Sequence, residues 1–462
     1  MPSRTRRRSL WSIFIALTLV ALLTACGSSS NSSGGTNSGT GASVTGPKNA
    51  LVRCPSNTNT TAASPETGQI HLVVAGWSST PAEDALVKQG LQNFEKLHPN
   101  VSVTWTPIPG DYATKMRANV ASGNVPDVFY LQPPMAQEYI PAGKLLNLSP
   151  YMARDQVSPS TYYPSLMQDF DCADGTVFGI PKDWNSLGLF YNKTLFQQAG
   201  LGDPSNWTWD DLKNAAQKLT KRGSSPANSV YGIALPADTS RWGAFLFANG
   251  GQMVSADGKQ ALFNSQAGIQ AAEFYTSFKQ NHTGVMPGDV GASWDGDAFG
   301  KQQVAMTLEG GWMIPFLAQN YPKVQYGIAP LPMGPSGKRG NLLYTNAWAA
   351  YSGTKYPGMA WELIKYMTGA EYQTQVLHDG FALPTLTSLA NDSYFQQNPG
   401  VKVLQDGAAY GQPDFYGVAD TEIHNDVSNA LQSIMLGKQS PADALNAAAQ
   451  KVNTWIQQNV AP

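Results

Sequence analysis

Two rhythms of apolar residues run through this chain. Ile70-His71-Leu72-Val73-Val74-Ala75 is a short apolar run that predicts a buried strand, closing at the turn Gly76-Trp77-Ser78-Ser79. From Pro81 to His98, Leu86, Leu91, Phe94 and Leu97 fall on one approximate helical face. Val101 to Trp105 alternates as a strand, Asp111 to Ser122 predicts a second helix, and Asp127 to Leu131 a third strand. Strand and helix alternating at this spacing imply βαβ units and a mainly parallel sheet, hence an α/β fold. Later helices announce their own starts. Thr208-Trp209-Asp210-Asp211 has the form of a capping box, followed by Leu212, Ala215, Ala216 and Leu219 at helical spacing. Ser440-Pro441-Ala442-Asp443 repeats the device ahead of Leu445, Ala448, Val452 and Trp455, and Ala360, Leu363, Ile364 and Met367 make a further stripe. These stripes are packing and carry no chemistry.

Two extended passages break the rule that strands inside a protein are apolar. Val177–Pro181 and Leu187–Tyr191 flank the polar Lys182-Asp183-Trp184-Asn185-Ser186, and Leu342–Trp348 contains Tyr344, Thr345 and Asn346. Polar and aromatic residues inside an extended segment suit the floor of a cleft better than a core.

The first residues describe an address. Arg4, Arg6, Arg7 and Arg8 precede the apolar run Leu10–Leu23, and Leu23-Thr24-Ala25-Cys26 follows. A basic head, a short apolar stretch and small residues at the break mark residues 1–25 as a secretory signal peptide. The run is shorter than the roughly 20 residues a membrane span needs. Leu-Thr-Ala-Cys resembles a bacterial lipobox, which makes Cys26 the expected lipidation site and the anchor to a membrane. The arginines also resemble a twin-arginine export signal, and the route of export stays open. Residues 26–67, rich in Ser, Gly, Asn and Thr, are expected to form a lipid-anchored, disordered tether.

Some 395 residues remain, more than one core normally organises, so two lobes are expected. Without the leader arginines, 26 basic residues face 32 acidic ones. Nucleic acid is therefore excluded as a partner, since phosphate binding needs a concentrated basic surface. Besides Cys26 the chain has Cys54 and Cys172. In an oxidising, exported setting they form a candidate disulfide, with two free thiols as the alternative. The five histidines are scattered without ligand-like spacing, so no metal and no cofactor are expected. No Gly-x-Ser-x-Gly elbow and no Walker-type loop occurs.

At this point a family resemblance is legible. In order along the chain stand Phe94…His98-Pro99-x-Val101-x-Val103, Ser122-Gly123-x-x-Pro126-Asp127-Val128-Phe129 and Gly143-Lys144-Leu145. Then come Gly179-Ile180-Pro181-Lys182, Tyr191-Asn192-Lys193-x-Leu195-Phe196-x-x-Ala199-Gly200-Leu201 and Trp207-Thr208-Trp209-Asp210-Asp211-Leu212. Ala248-Asn249-Gly250-Gly251, Val304-Ala305-Met306, Gly310-Gly311-Trp312 and Tyr326-Gly327-Ile328-Ala329-Pro330-Leu331-Pro332 complete the series. Each phrase is weak alone. Their order over the whole body resembles the extracellular solute-binding proteins of bacterial ABC importers, a family serving mostly sugars and oligosaccharides.

The resemblance implies a two-lobed periplasmic-binding-protein-like fold (type II), hinged by crossing segments and closing on its solute. Lobe one would be residues 68–183 plus 347–383, and lobe two residues 184–346 plus 384–462. It also implies a carbohydrate ligand, delivery to ABC transporter permease subunits, action as a monomer, and an extracytoplasmic, lipid-anchored location. It implies no catalysis.

A sugar offers hydroxyls at its edge and C–H faces above and below, so its site needs flat aromatic platforms with fixed polar groups. Trp77 and Gln132 follow strands, where open α/β sheets place ligands. Asp183, Trp184 and Asn185 lie on the first crossing, Asn346 and Trp348 on the second. Trp242 matches a ligand-facing helix start. Trp312, with Glu309 close by, resembles the family's stacking aromatic. For each, a structural role competes: packing for the tryptophans, a hinge hydrogen bond for Asp183, an ordinary loop position for Gln132. Two other functions stay open. A carboxylate pair for glycoside hydrolysis converges only in space, which leaves a secreted carbohydrate-active enzyme. The same fold with an anionic solute, a sugar phosphate or glycerol phosphate, would draw on Lys182 and Arg241.

Overall fold

A computed structural model describes residues 52–56, 58–77 and 81–459. The leader and Cys26 lie outside the described residues, as does most of the expected tether. Among the described residues eleven strands follow in chain order: β1 Ile70–Gly76, β2 Val101–Pro107, β3 Val128–Leu131, β4 Ile180–Ser186, β5 Gly188–Asn192 and β6 Tyr231–Ala234. The rest are β7 Gly284–Val285, β8 Val304–Glu309, β9 Tyr326–Ala329, β10 Asn341–Ala350 and β11 Gly411–Pro413. They form two sheets. One has the order β11-β10-β3-β1-β2 with β4 also on β10; the other has the order β7-β6-β8-β5-β9. As the βαβ pattern predicts, β2 and β3 run parallel to β1. β10 enters antiparallel to β3, and in the second sheet β5 is antiparallel to both neighbours.

The expected helices form where the periodicity puts them, as Pro81–Leu97, Tyr112–Ser122 and Trp209–Leu219. Asp111 caps the second through the Thr114 amide at 3.0 Å. The box at Thr208 closes in both directions, with the Asp211 amide on Thr208 Oγ1 at 3.3 Å and the Thr208 amide on Asp211 Oδ2 at 2.9 Å. Each sheet buries its own core. The first collects Phe94, Phe129, Tyr139, Phe178, Trp348 and Trp361; the second collects Trp242, Phe263, Tyr275, Leu308 and Leu431. The two-lobed α/β fold is thus present, with β4 and β10 paired to each other along the passage between the cores.

The end of the expected tether does not behave as one. Val52 is buried in the first core, and a disulfide joins Cys54 to Cys172 across 118 residues of sequence. Asn59 exchanges hydrogen bonds with Asn147, donating from Nδ2 to its carbonyl at 3.0 Å and accepting from its amide at 3.0 Å. Glu66 accepts from the amides of Gly358 and Met359, at 3.2 and 2.9 Å, capping the helix Pro357–Met367. Composition read these residues as unstructured. A disulfide and two side-chain anchors hold them without a large apolar contribution. Among the described residues, no helix is long and apolar enough to cross a membrane.

Candidate functional site

β4 and β10 pair antiparallel from Leu343 opposite Ser186 to Trp348 opposite Ile180, but the register slips between Asn346 and Ala347. Asn346 faces Asp183 and Ala347 faces Pro181, so Lys182 is an extra residue on its strand, a β-bulge. Strand alternation would send Lys182 and Asp183 to opposite faces. The bulge turns both toward the space between the lobes, and Lys182 Nζ touches Asp183 Oδ2 directly. Nζ also reaches Glu83, in the first turn of Pro81–Leu97, at 3.3 Å, and lies 4.5 Å from the centre of the Tyr130 ring. Burial pulls the ammonium's pKa down, but the two carboxylates overcome this and hold it above the ordinary lysine value. Burial pushes the Asp183 carboxyl up, against the lysine beside it.

Around this group opens a cleft of about 470 Å³, inside the size range of small-ligand sites. From the first-lobe side come Trp77, after β1, and Phe381. β4 and β10 supply Lys182, Asp183, Asn185, Tyr344 and Asn346, and the second-lobe side supplies Trp294, Trp312 and Phe316. Six of these are aromatic. Trp312 packs edge-on against Tyr344, with ring centres 5.7 Å apart, and Trp294 against Phe316 at 4.7 Å. Asn185 ties the walls together: its Oδ1 accepts from the Gly311 amide at 2.9 Å, and its Nδ2 donates to the Phe381 carbonyl at 3.3 Å. A Cβ on Gly311 would lie 2.7 Å from that Oδ1, which is why the turn before Trp312 carries glycine.

Five sequence candidates therefore share one space: Trp77, Asp183, Asn185, Trp312 and Asn346. Gln132 lines an adjoining depression of about 560 Å³ that has Trp77 as a common wall. The other four do not line the cleft. Trp184 alternates away from Asp183 and Asn185 and is only 2 % exposed, its Nε1 donating to the Pro384 carbonyl at 2.9 Å. Trp242 follows Arg241 by one helical step and points into the second core, with no exposure. Trp348 is covered by Tyr130, whose ring centre is 4.5 Å away. Glu309 ends β8 with no exposure and accepts from Trp312 Nε1 at 2.7 Å, so it supports the platform from behind. Glu83, Tyr344, Phe316 and Phe381 were missed. Tyr344 stands two residues before Asn346, on the same strand face, and alternation could have found it. In the sequence Lys182 stands out only as a cation for an anionic solute.

A larger cavity, about 1360 Å³, lies between the 247–262 segment and residues 410–416 of the second lobe. The interlobe cleft is nevertheless the better candidate, because buried charged groups and both crossing strands converge there.

The family model described as bacterial extracellular solute-binding protein matches residues 76–374. A galactooligosaccharide-binding protein of Bacillus subtilis is 23 % identical over 416 residues, covering 88 % of this chain and 94 % of the relative. Among solved structures, an ABC substrate-binding protein of Listeria monocytogenes in complex with cycloalternan superposes with a TM-score of 0.76 at 20 % identity, over 84 % of this chain and 99 % of that one. The GacH receptor of Streptomyces glaucescens gives 0.74 at 24 % identity, over 85 % and 99 %. Fold and matched sequence agree, and the chain belongs to the bacterial extracellular solute-binding protein family.

Proposed function

We propose that this protein captures a sugar or oligosaccharide in the interlobe cleft and delivers it to the permease of an ABC importer. The observation that carries this reading is the meeting of six aromatic side chains with Asp183, Asn185 and Asn346 in one cleft beside the crossing strands. Aromatic faces suit the C–H faces of a pyranose, and the carboxylate and amides suit its hydroxyls. Trp77, Asp183, Asn185, Trp312 and Asn346 are the ligand-contacting residues in this account, with Gln132 at its outer end.

The solute is uncharged in this reading. Among the described residues lining the cleft the one cation is Lys182, and it is already held by Glu83 and Asp183 rather than offered to a phosphate. The relatives support a saccharide: one is named for galactooligosaccharides, and one neighbour was solved with cycloalternan. Lobe one, residues 68–183 plus 347–383, and lobe two, residues 184–346 plus 384–462, close about β4 and β10 when solute bridges them. Binding shifts that balance only by its preference for the closed form. The signal peptide 1–25, lipidation at Cys26 and action as a monomer complete the proposal.

The test is tryptophan emission and calorimetry with glucose, galactose, maltose, maltotriose, cellobiose and galactobiose, with chromatography of the incubated sugars. Saturable binding without new products supports the importer role. Turnover supports an enzyme instead. Small-angle scattering with a saturating bound sugar should show compaction, and an unchanged radius counts against closure.

A further inference from the structure

The Trp312 indole is held from behind. Its Nε1 donates to Glu309 Oε2 at 2.7 Å, and Arg241 Nη2 donates to the same oxygen at 3.1 Å. The guanidinium also lies 6.0 Å from the centre of the Trp312 ring. Glu309 sits at the end of β8, opposite Gly188, without exposure.

Charge around it is unbalanced. Arg241 is the cation whose ion pairs reach this spot among the described residues, and it faces three carboxylates. They are Glu309, Asp295 at 4.0 Å from its Nε, and Asp238 at 3.7 Å from its Nη1. Tyr344 on β10 adds a buried phenol, with the Asp414 carboxylate beyond it. Glu309 Oε1 and Arg241 Nε are both fully buried with no hydrogen-bond partner. An ionised carboxylate with an empty oxygen in such dry surroundings is costly. Asp295 lies close enough to share a hydrogen bond with Glu309, a contact that two carboxyls make only when one of them holds a proton. Two carboxyls that share one proton avoid both the unfilled oxygen and their mutual repulsion.

We propose that Glu309 is the positioning residue of the Trp312 platform, and that it acts as a neutral carboxyl sharing its proton with Asp295. This deepens the reading of Trp312 as a solute-stacking residue, while its test needs no solute. Burial, then the Asp295 charge, holds the Glu309 carboxyl well above the ordinary carboxylate range, and Arg241 opposes them. Removing the proton at alkaline pH sets two negative charges against each other and displaces the oxygen that receives the indole. The platform then tilts.

The experiment is fluorine NMR of the solute-free full-length protein labelled with 5-fluorotryptophan, from pH 5 to 9.5. The Trp312 resonance is the one absent from W312F. It should move with pH in the wild type and stay fixed in E309Q, at the wild-type neutral-pH position, because the amide keeps an acceptor for Nε1 without titrating. D295N should bring the transition to lower pH, since it removes a neighbouring negative charge. E309A should displace the resonance at every pH. A wild-type resonance that moves no more than that of E309Q, or an E309Q resonance displaced at pH 7, overturns the proposal. If E309A fails to fold, the wild-type and E309Q pair still decides. Failure of every sugar to bind would sink the transport reading and leave this result standing.

Discussion

Lys182 of β4 and Glu83 of the first helix meet at 3.3 Å although 99 residues separate them in sequence. The contact ties the hinge strand to the helix that follows β1, and both side chains are almost without exposure. Removing one partner of a buried ion pair typically costs about 3–5 kcal/mol, because the remaining charge keeps its desolvation penalty. Lys182→Met should therefore lower the melting temperature strongly at pH 7, with Glu83 and Asp183 left facing one another. Acid should recover part of the loss, as protonation removes that repulsion. Thermal melts at pH 7 and 5 decide; equal deficits at both would show that packing, not charge, dominates.

Trp312 is only partly buried and packs at the margin of the cores rather than inside one. Trp312→Ala should weaken sugar binding by about 2 kcal/mol or more, roughly thirtyfold, as central aromatic anchors do. Thermal stability should change far less. Titration calorimetry beside a thermal melt separates these effects, and an equal loss in both would return Trp312 to a packing role.

The Cys54–Cys172 bond closes a long loop, and removal of such a disulfide typically costs about 2–5 kcal/mol. Cys54→Ser with Cys172→Ser should lower the urea midpoint accordingly. Residues 52–67 should become the first site of proteolytic cutting, while sugar affinity stays within about twofold because the cleft contains neither cysteine.

Asp297 supplies an acid-sensitive element beside the cleft-wall residue Trp294. Burial raises its pKa, but Lys301, the Tyr321 hydroxyl and the Ser293 amide overcome this and hold it at about 2. The folded value lies below the unfolded one, so the stabilisation is present above about pH 4 and is lost as pH falls toward 2. A shift of this size corresponds to about 2 kcal/mol. Urea melts at pH 6 and 2.5 should show Asp297→Asn losing about that much at pH 6 and little at pH 2.5. A constant difference would assign the effect to geometry.

Much of the fold was legible because local rules decided it. The strands at Ile70, Val101 and Val128 and the helix cap at Thr208 rest on periodicity and side-chain chemistry that a short window contains. The site was legible only in part. Trp77, Asp183, Asn185, Trp312 and Asn346, which share the cleft, were singled out through strand ends, polar crossings and family likeness. Trp184, Trp242 and Trp348 were misplaced, because an indole amid polar neighbours looks the same in sequence whether its strand face is open or covered. Lys182 turned on the slip opposite Asn346 and Ala347, an event in strand pairing that neither strand announces by itself. Glu83 and Phe381 enter through tertiary packing from distant segments, which no local pattern encodes.

The strap from Val52 to Glu66 has a mechanical consequence. It is riveted at Cys172, Asn147 and the start of the Pro357–Met367 helix, all on parts of the chain that build the first core. Force applied to the chain at Val52 thus enters the molecule through the first core, ahead of any part of the second.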